Sequence, residues 1–89
     1  MGEVVAVFRI MPADGADFDQ MKDTVVKAVV KAIGKVDNRR DEPLAFGITA
    51  FKITVVMPDD AGGTDKLEQM LAKLPGVGDV QVTDVGRLM

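Results

Sequence analysis

With 89 residues and a mass of 9.5 kDa, the chain has room for one core; at 47% apolar and 28% charged it fits neither a disordered segment nor a membrane span. It has no Cys and no His, which removes disulfides, thiolate and imidazole chemistry and almost every structural zinc or iron–sulfur site, so no catalytic residue, metal or cofactor is expected. A net charge of −3 without Trp or Tyr does not suit a nucleic-acid reader, and Met1-Gly2-Glu3 leading into a strand is unlike an export signal, which makes the expected location cytoplasmic with no membrane contact.

The run Glu3 to Met11 reads as a strand, with Val4, Ala6, Phe8 and Ile10 on one face. Its other face, Val5, Val7, Arg9 and Met11, is also mostly apolar and predicts a central strand covered on much of both sides. Pro12 and Asp14-Gly15 stop it. Asp17 and Gln20 form a capping-box pattern that opens a helix running to about Gly34. Phe18, Met21, Val25, Ala28, Val29, Ala32 and Ile33 make its apolar stripe, and Asp23 and Lys27 form a favourable i, i+4 pair on the polar side.

Lys35 to Glu42, charged at six of eight positions, reads as an edge strand or loop ended by Pro43. A long strand follows from about Ala45 to Met57, with Phe51, Ile53, Val55 and Met57 on one face and Phe46, Ile48, Lys52 and Thr54 on the other. After the break at Pro58 to Gly63, Thr64 or Asp65 opens a short helix with Glu68 in capping-box position and Leu67, Met70, Leu71 and Leu74 buried. Pro75-Gly76 ends it, Val77 to Val85 is a strand, and Gly86-Arg87-Leu88-Met89 forms a tail. The order β-α-β-β-α-β specifies an α+β, ferredoxin-like sandwich, with a four-stranded antiparallel sheet and two helices on one face.

Several features could carry function. Gly62-Gly63-Thr64 before a helix could receive an anion, but Asp59, Asp60 and Asp65 would repel it and a plain turn is favoured. Asp59 and Asp60, like Asp14, Asp17 and Asp19, lack the spacing of a calcium loop and read as turn and cap residues. Arg39 and Arg40, next to Asp41 and Glu42, read as a solvated or ion-paired edge. Phe46, a large ring beside Gly47, is open between core packing and a partner contact. The same choice stands for Leu88 and Met89, which either fold back on the sheet or reach into a partner's pocket.

Four segments together give a resemblance over essentially the whole chain: Met1-Gly2-Glu3-Val4-Val5-Ala6-Val7, Glu42-Pro43-Leu44-Ala45-Phe46-Gly47-Ile48, Gly62-Gly63-Thr64, and Val82-Thr83-Asp84-Val85-Gly86-Arg87-Leu88-Met89. The chain resembles the archaeal-type elongation factor 1-beta family, nucleotide exchange factors for elongation factor 1-alpha. The resemblance implies that residues 1–89 are a single exchange domain. It also implies binding to the GTPase in its GDP-bound and nucleotide-free states, no covalent chemistry, no direct nucleic-acid contact and a monomer when free.

In eukaryotic relatives a basic residue near the C-terminus enters the partner's magnesium and phosphate region, and an aromatic residue before a Gly contacts the nucleotide-binding domain. Phe46 and Gly47 match the second position. Arg87, third from the end where those relatives have a penultimate Lys, matches the first more loosely, with Leu88 and Met89 as apolar anchors. The rival expectation is a ferredoxin-like regulatory module that binds a small molecule and dimerises edge to edge, which the charged strand near Lys35 to Glu42 disfavours.

Overall fold

The computed structural model describes residues 3–33, 36–58 and 63–88. Their order is β1 (Glu3–Pro12), α1 (Phe18–Ile33), β2 (Asn38–Pro43), β3 (Thr49–Pro58), α2 (Gly63–Ala72) and β4 (Val77–Leu88). The strands form one antiparallel sheet in the order β2-β3-β1-β4. The ferredoxin-like sandwich expected from the sequence is therefore the fold. The molecule measures 41 × 23 × 18 Å.

Period-two alternation builds the core. Val4, Ala6, Phe8 and Ile10 of β1 and Phe51, Ile53, Val55 and Met57 of β3 are buried on the same side, where Met21, Val25 and Val29 of α1 and Leu67 and Leu71 of α2 pack against them. Both helices thus cover one face. The opposite face differs from expectation: no element among the described residues covers it, and Val5, Val7, Arg9 and Met11 are half-buried. Their partial shielding comes from cross-strand neighbours, as when Arg9 lies opposite Lys52 and Gln81.

The helix starts and ends follow local chemistry. Asp17 Oδ1 accepts the Gln20 backbone N–H at 3.1 Å, which is the side-chain half of the expected cap. Lys27 and Asp23 pair at 2.9 Å, and Ala32, expected in the buried stripe, is exposed in the last turn. Gly34 and Lys35 lie outside the described residues. The second helix already includes Gly63, ahead of the expected Thr64 or Asp65 start. Its Thr64 hydroxyl points to Met57 Sδ at 3.8 Å rather than capping, and Asp65 sits in the first turn, where the helix dipole favours a carboxylate.

Two further departures concern candidate residues. The expected strand from Ala45 starts only at Thr49, because β2 and β3 form a hairpin whose last pair is Pro43 with Thr49. The chain must reverse within residues 44–48. It does so in a left-handed turn: Phe46 has φ 64° and ψ 31°, Gly47 has φ 74°, and the Ile48 N–H donates to the Ala45 carbonyl at 3.4 Å. These angles belong to the mirror-image hairpin turn whose twist matches the flanking strands.

The expected tail is also strand: β4 continues through Leu88, with Gly86, Arg87 and Leu88 opposite Val5, Val4 and Glu3. Met89 lies outside the described residues. Two bulges interrupt this pairing. Thr83 is the extra residue between the pairs Val7 with Asp84 and Phe8 with Val82, and Gly78 is the extra residue between Met11 with Asp79 and Pro12 with Val77. A Cβ on Gly78 would sit 2.8 Å from the Pro12 carbonyl oxygen and 2.9 Å from Ala13 Cα, so close backbone approach demands glycine there.

Candidate functional site

The hairpin turn holds the most exposed apolar side chain described. Phe46 is 98% exposed, which settles against core packing, while the other three Phe residues are in the core or packed against it. A bulky residue at positive φ is uncommon, since a left-handed conformation costs an L-residue roughly 1–2 kcal/mol. Asn or Gly ordinarily fills that place in such a turn. Ring exposure and backbone strain therefore coincide at one residue that the fold does not use. Ile48, 42% exposed, adjoins it, and a shallow depression lined by Met11, Pro12, Phe18, Gly47 and Ile48 lies between this turn and the Ala13–Ala16 loop.

The sheet register separates Phe46 from the C-terminal candidates. β1 meets β3 through Ile10 with Phe51 near the turn, and meets β4 through Val4 with Arg87 at the other end. The six residue steps from Val4 to Ile10 span roughly 20 Å, with the turn still further out. Phe46 and Gly47 thus lie at one end of the sheet, and Arg87 and Leu88 at the other. The structure does not bring the candidates together into one pocket.

A feature that the sequence reading missed lies on the uncovered face. Arg40, Lys52, Arg9 and Gln81 are direct cross-strand partners, one from each strand, so three cations stand side by side across the sheet. Directly opposed residues have Cβ atoms only about 4.5–5.5 Å apart, and like charges there repel. Glu42 is the counter-charge: its carboxylate lies 3.2 Å from Lys52 Nζ and 3.8 Å from Arg9 Nη1. Arg9 also donates to Gln81 Oε1, its Nε is buried without a partner, and Arg40 makes no ion pair among the described residues. The signal was available only through register, since Arg9, Arg40 and Lys52 are scattered in sequence.

On the other side of β2, Lys22 ties α1 to the edge strand. Its ammonium donates to both Asp41 oxygens at 3.2 Å, lies 3.4 Å from Asp19 and sits 4.8 Å from the Phe18 ring centre. Hydrogen bonding to Asp41 is the main reason its pKa lies above the ordinary 10.5, with the charges of Asp41 and Asp19 adding to it and burial opposing it. This is a structural clasp on the charged edge. Asp59, Asp60 and Gly62 lie outside the described residues; among the described ones, no group of three acidic side chains could hold a metal ion. Among the described residues, no helix is long and apolar enough to cross a membrane.

The family model of the EF-1 guanine nucleotide exchange domain matches residues 5–88. Elongation factor 1-beta of Methanococcoides burtonii is 42% identical over 89 residues, covering 98% of both chains. The proteins of the same name from Methanobrevibacter smithii and Methanothermobacter thermautotrophicus are 38% and 37% identical over the full length of both chains. Among solved structures, the ACT domain from GTP pyrophosphokinase of Chlorobium tepidum superposes with a TM-score of 0.61 over 97% of this chain and 99% of that one. At 18% identity this likeness concerns the fold.

Proposed function

The chain belongs to the EF-1 guanine nucleotide exchange domain family, and on that premise we propose that residues 1–89 act as a single domain that binds the GTPase elongation factor 1-alpha and speeds release of its GDP. It does so as a cytoplasmic protein, a monomer when free, acting without covalent chemistry. Exchange needs only that the factor bind the nucleotide-free GTPase more tightly than the GDP-bound form. That differential affinity is the coupling free energy, and by reciprocity bound GDP weakens the factor by the same amount.

The observation that carries this reading is Phe46, a ring held outward at a conformational cost in a family whose members meet a protein partner. Phe46 with Gly47 forms one contact and the ending Arg87-Leu88-Met89 the other. The guanidinium of Arg87 takes the role of a cation near the partner's Mg²⁺, where it opposes the ion electrostatically and loosens the phosphates that the ion holds. Leu88 and Met89 anchor that end. Two contacts at opposite ends of the sheet require a partner surface spanning more than roughly 20 Å.

The test is release of a fluorescent GDP analogue from the cognate GTPase with Mg²⁺ and excess unlabelled nucleotide. Substoichiometric protein should accelerate release through many turnovers; a folded protein without effect on a competent GTPase would overturn the reading.

A further inference from the structure

The two proposed contacts lie at opposite ends of the sheet, and one of the surfaces that joins them is the face the helices leave bare. Its centre is the row Arg40, Lys52 and Arg9, in which the carboxylate of Glu42 pairs with Lys52 and Arg9 while Arg40 has no ion pair among the described residues. In a chain of net charge −3, this row concentrates positive charge where cross-strand repulsion works against the fold. Arg40 is the exposed outer member, and it borders a shallow depression with Lys52, Asn38, Thr54, Thr83 and Asp84, in which the Asn38 amide and the Thr54 hydroxyl are further hydrogen-bond donors while the Thr83 hydroxyl donates to the Val7 carbonyl at 3.3 Å.

From this charge imbalance we infer that the bare sheet face lies against the GTPase and that the row Arg40–Lys52–Arg9 receives a carboxylate-bearing patch of that partner. The inference rests on the exchange reading and adds to it the face used and the chemistry met. A phosphate backbone is the poorer match. A nucleic-acid platform on a sheet stacks bases on aromatic side chains, but Phe8 and Phe51 are buried beneath the helices, Phe18 belongs to α1 and Phe46 to the turn, so this face has none. An acidic protein surface needs no stacking. It supplies the acceptors that Glu42 alone does not, and Arg40 and Lys52 can each take a carboxylate in a charge-assisted pair.

The test measures binding of the intact protein to the nucleotide-free GTPase over a salt series. It compares wild type with Arg40→Gln/Lys52→Gln and with Lys66→Gln/Lys73→Gln, which removes the same charge from exposed residues outside the sheet. Arg40→Gln alone guards against misfolding of the double variant, which far-UV circular dichroism checks. The row variant should bind roughly tenfold or more weakly and lose much of its salt dependence, while the control stays within about twofold of wild type. Equal binding and equal salt slopes for both variants would overturn the face assignment while leaving exchange itself intact. Failure of wild type to bind the GTPase at all would overturn both. Tight binding of a labelled RNA that only the row variant loses would also overturn it, in favour of a nucleic-acid face.

Discussion

Replacing Phe46 by Asn should make the protein more stable and less active. The ring is 98% exposed, so of the 150–250 Å² a phenyl side chain can bury, only about 4 Å² is withdrawn from water, worth about 0.1 kcal/mol. Against that small loss stands the left-handed backbone at φ 64°, which costs a bulky residue roughly 1–2 kcal/mol and which Asn tolerates. The net gain is about 1 kcal/mol, a rise in Tm of about 4–8 °C for a domain of this size. Exposed aromatic anchors dominate protein interfaces and cost about 2 kcal/mol or more when removed, so exchange at low factor concentration should fall roughly thirtyfold. Thermal unfolding followed by circular dichroism and GDP release measured on the same sample decide the matter. A lowered Tm would mean the ring is packed, and unchanged exchange would mean the strain serves something other than the GTPase.

Arg87→Ala should slow exchange while leaving Tm within about 2 °C, and it is cleaner than truncation, since deleting residues 87–89 also removes the strand pairs with Val4 and Glu3; full exchange by Arg87→Ala would remove the guanidinium from the mechanism. Gly78→Ala should destabilise by about 1–3 kcal/mol, because the new methyl meets the Pro12 carbonyl and Ala13 backbone inside contact distance; a denaturant midpoint equal to wild type would show that the bulge can give way. Lys22 titrates above its ordinary 10.5 in the folded state, so its contribution is whole below that value and lost as pH rises through the folded one. With no His in the chain, Tm should stay level from pH 6 to about pH 10 and fall above that, and Lys22→Gln should flatten part of that alkaline fall; a midpoint that drifts between pH 6 and 8 would contradict this.

The elements that could be read from the sequence are those whose side chains obey one period. Val4 to Ile10 and Phe51 to Met57 alternate without a break, and Met21, Val25 and Val29 recur every fourth residue, so strands, helix and core followed directly. The hairpin turn escaped because Leu44, Ala45, Phe46 and Ile48 are apolar and only Gly47 signals a reversal; the Asn-Gly pair that usually announces such a turn is absent. Local preference and structure conflict at Phe46, which is where a functional demand would place a conflict. The end of β4 escaped for another reason. Val77, Val80, Val82 and Val85 are spaced three, two and three, and each interval of three contains a bulge residue, Gly78 or Thr83, so the alternation looked exhausted when it had only been offset. The cationic row is invisible in one dimension, since Arg9, Arg40 and Lys52 become neighbours only once the register is known.

The order β2-β3-β1-β4 also governs how such a sheet can assemble in time. Its inner strand β1 comes first in the chain, yet both of its neighbours come later: β3 begins at Thr49 and β4 at Val77. Only the β2–β3 hairpin closes through a short loop, so during synthesis β1 emerges with nothing to pair with until more than half the chain has been made. Its apolar residues on both faces must stay unpaired through that interval, with α1 as the one early element able to shield them. Long loop closures of this kind slow folding relative to helical domains of equal length. The hairpin, closing first, would offer β3 as a template on which β1 docks, and β4 would then complete the sheet by returning to the strand with which the chain began.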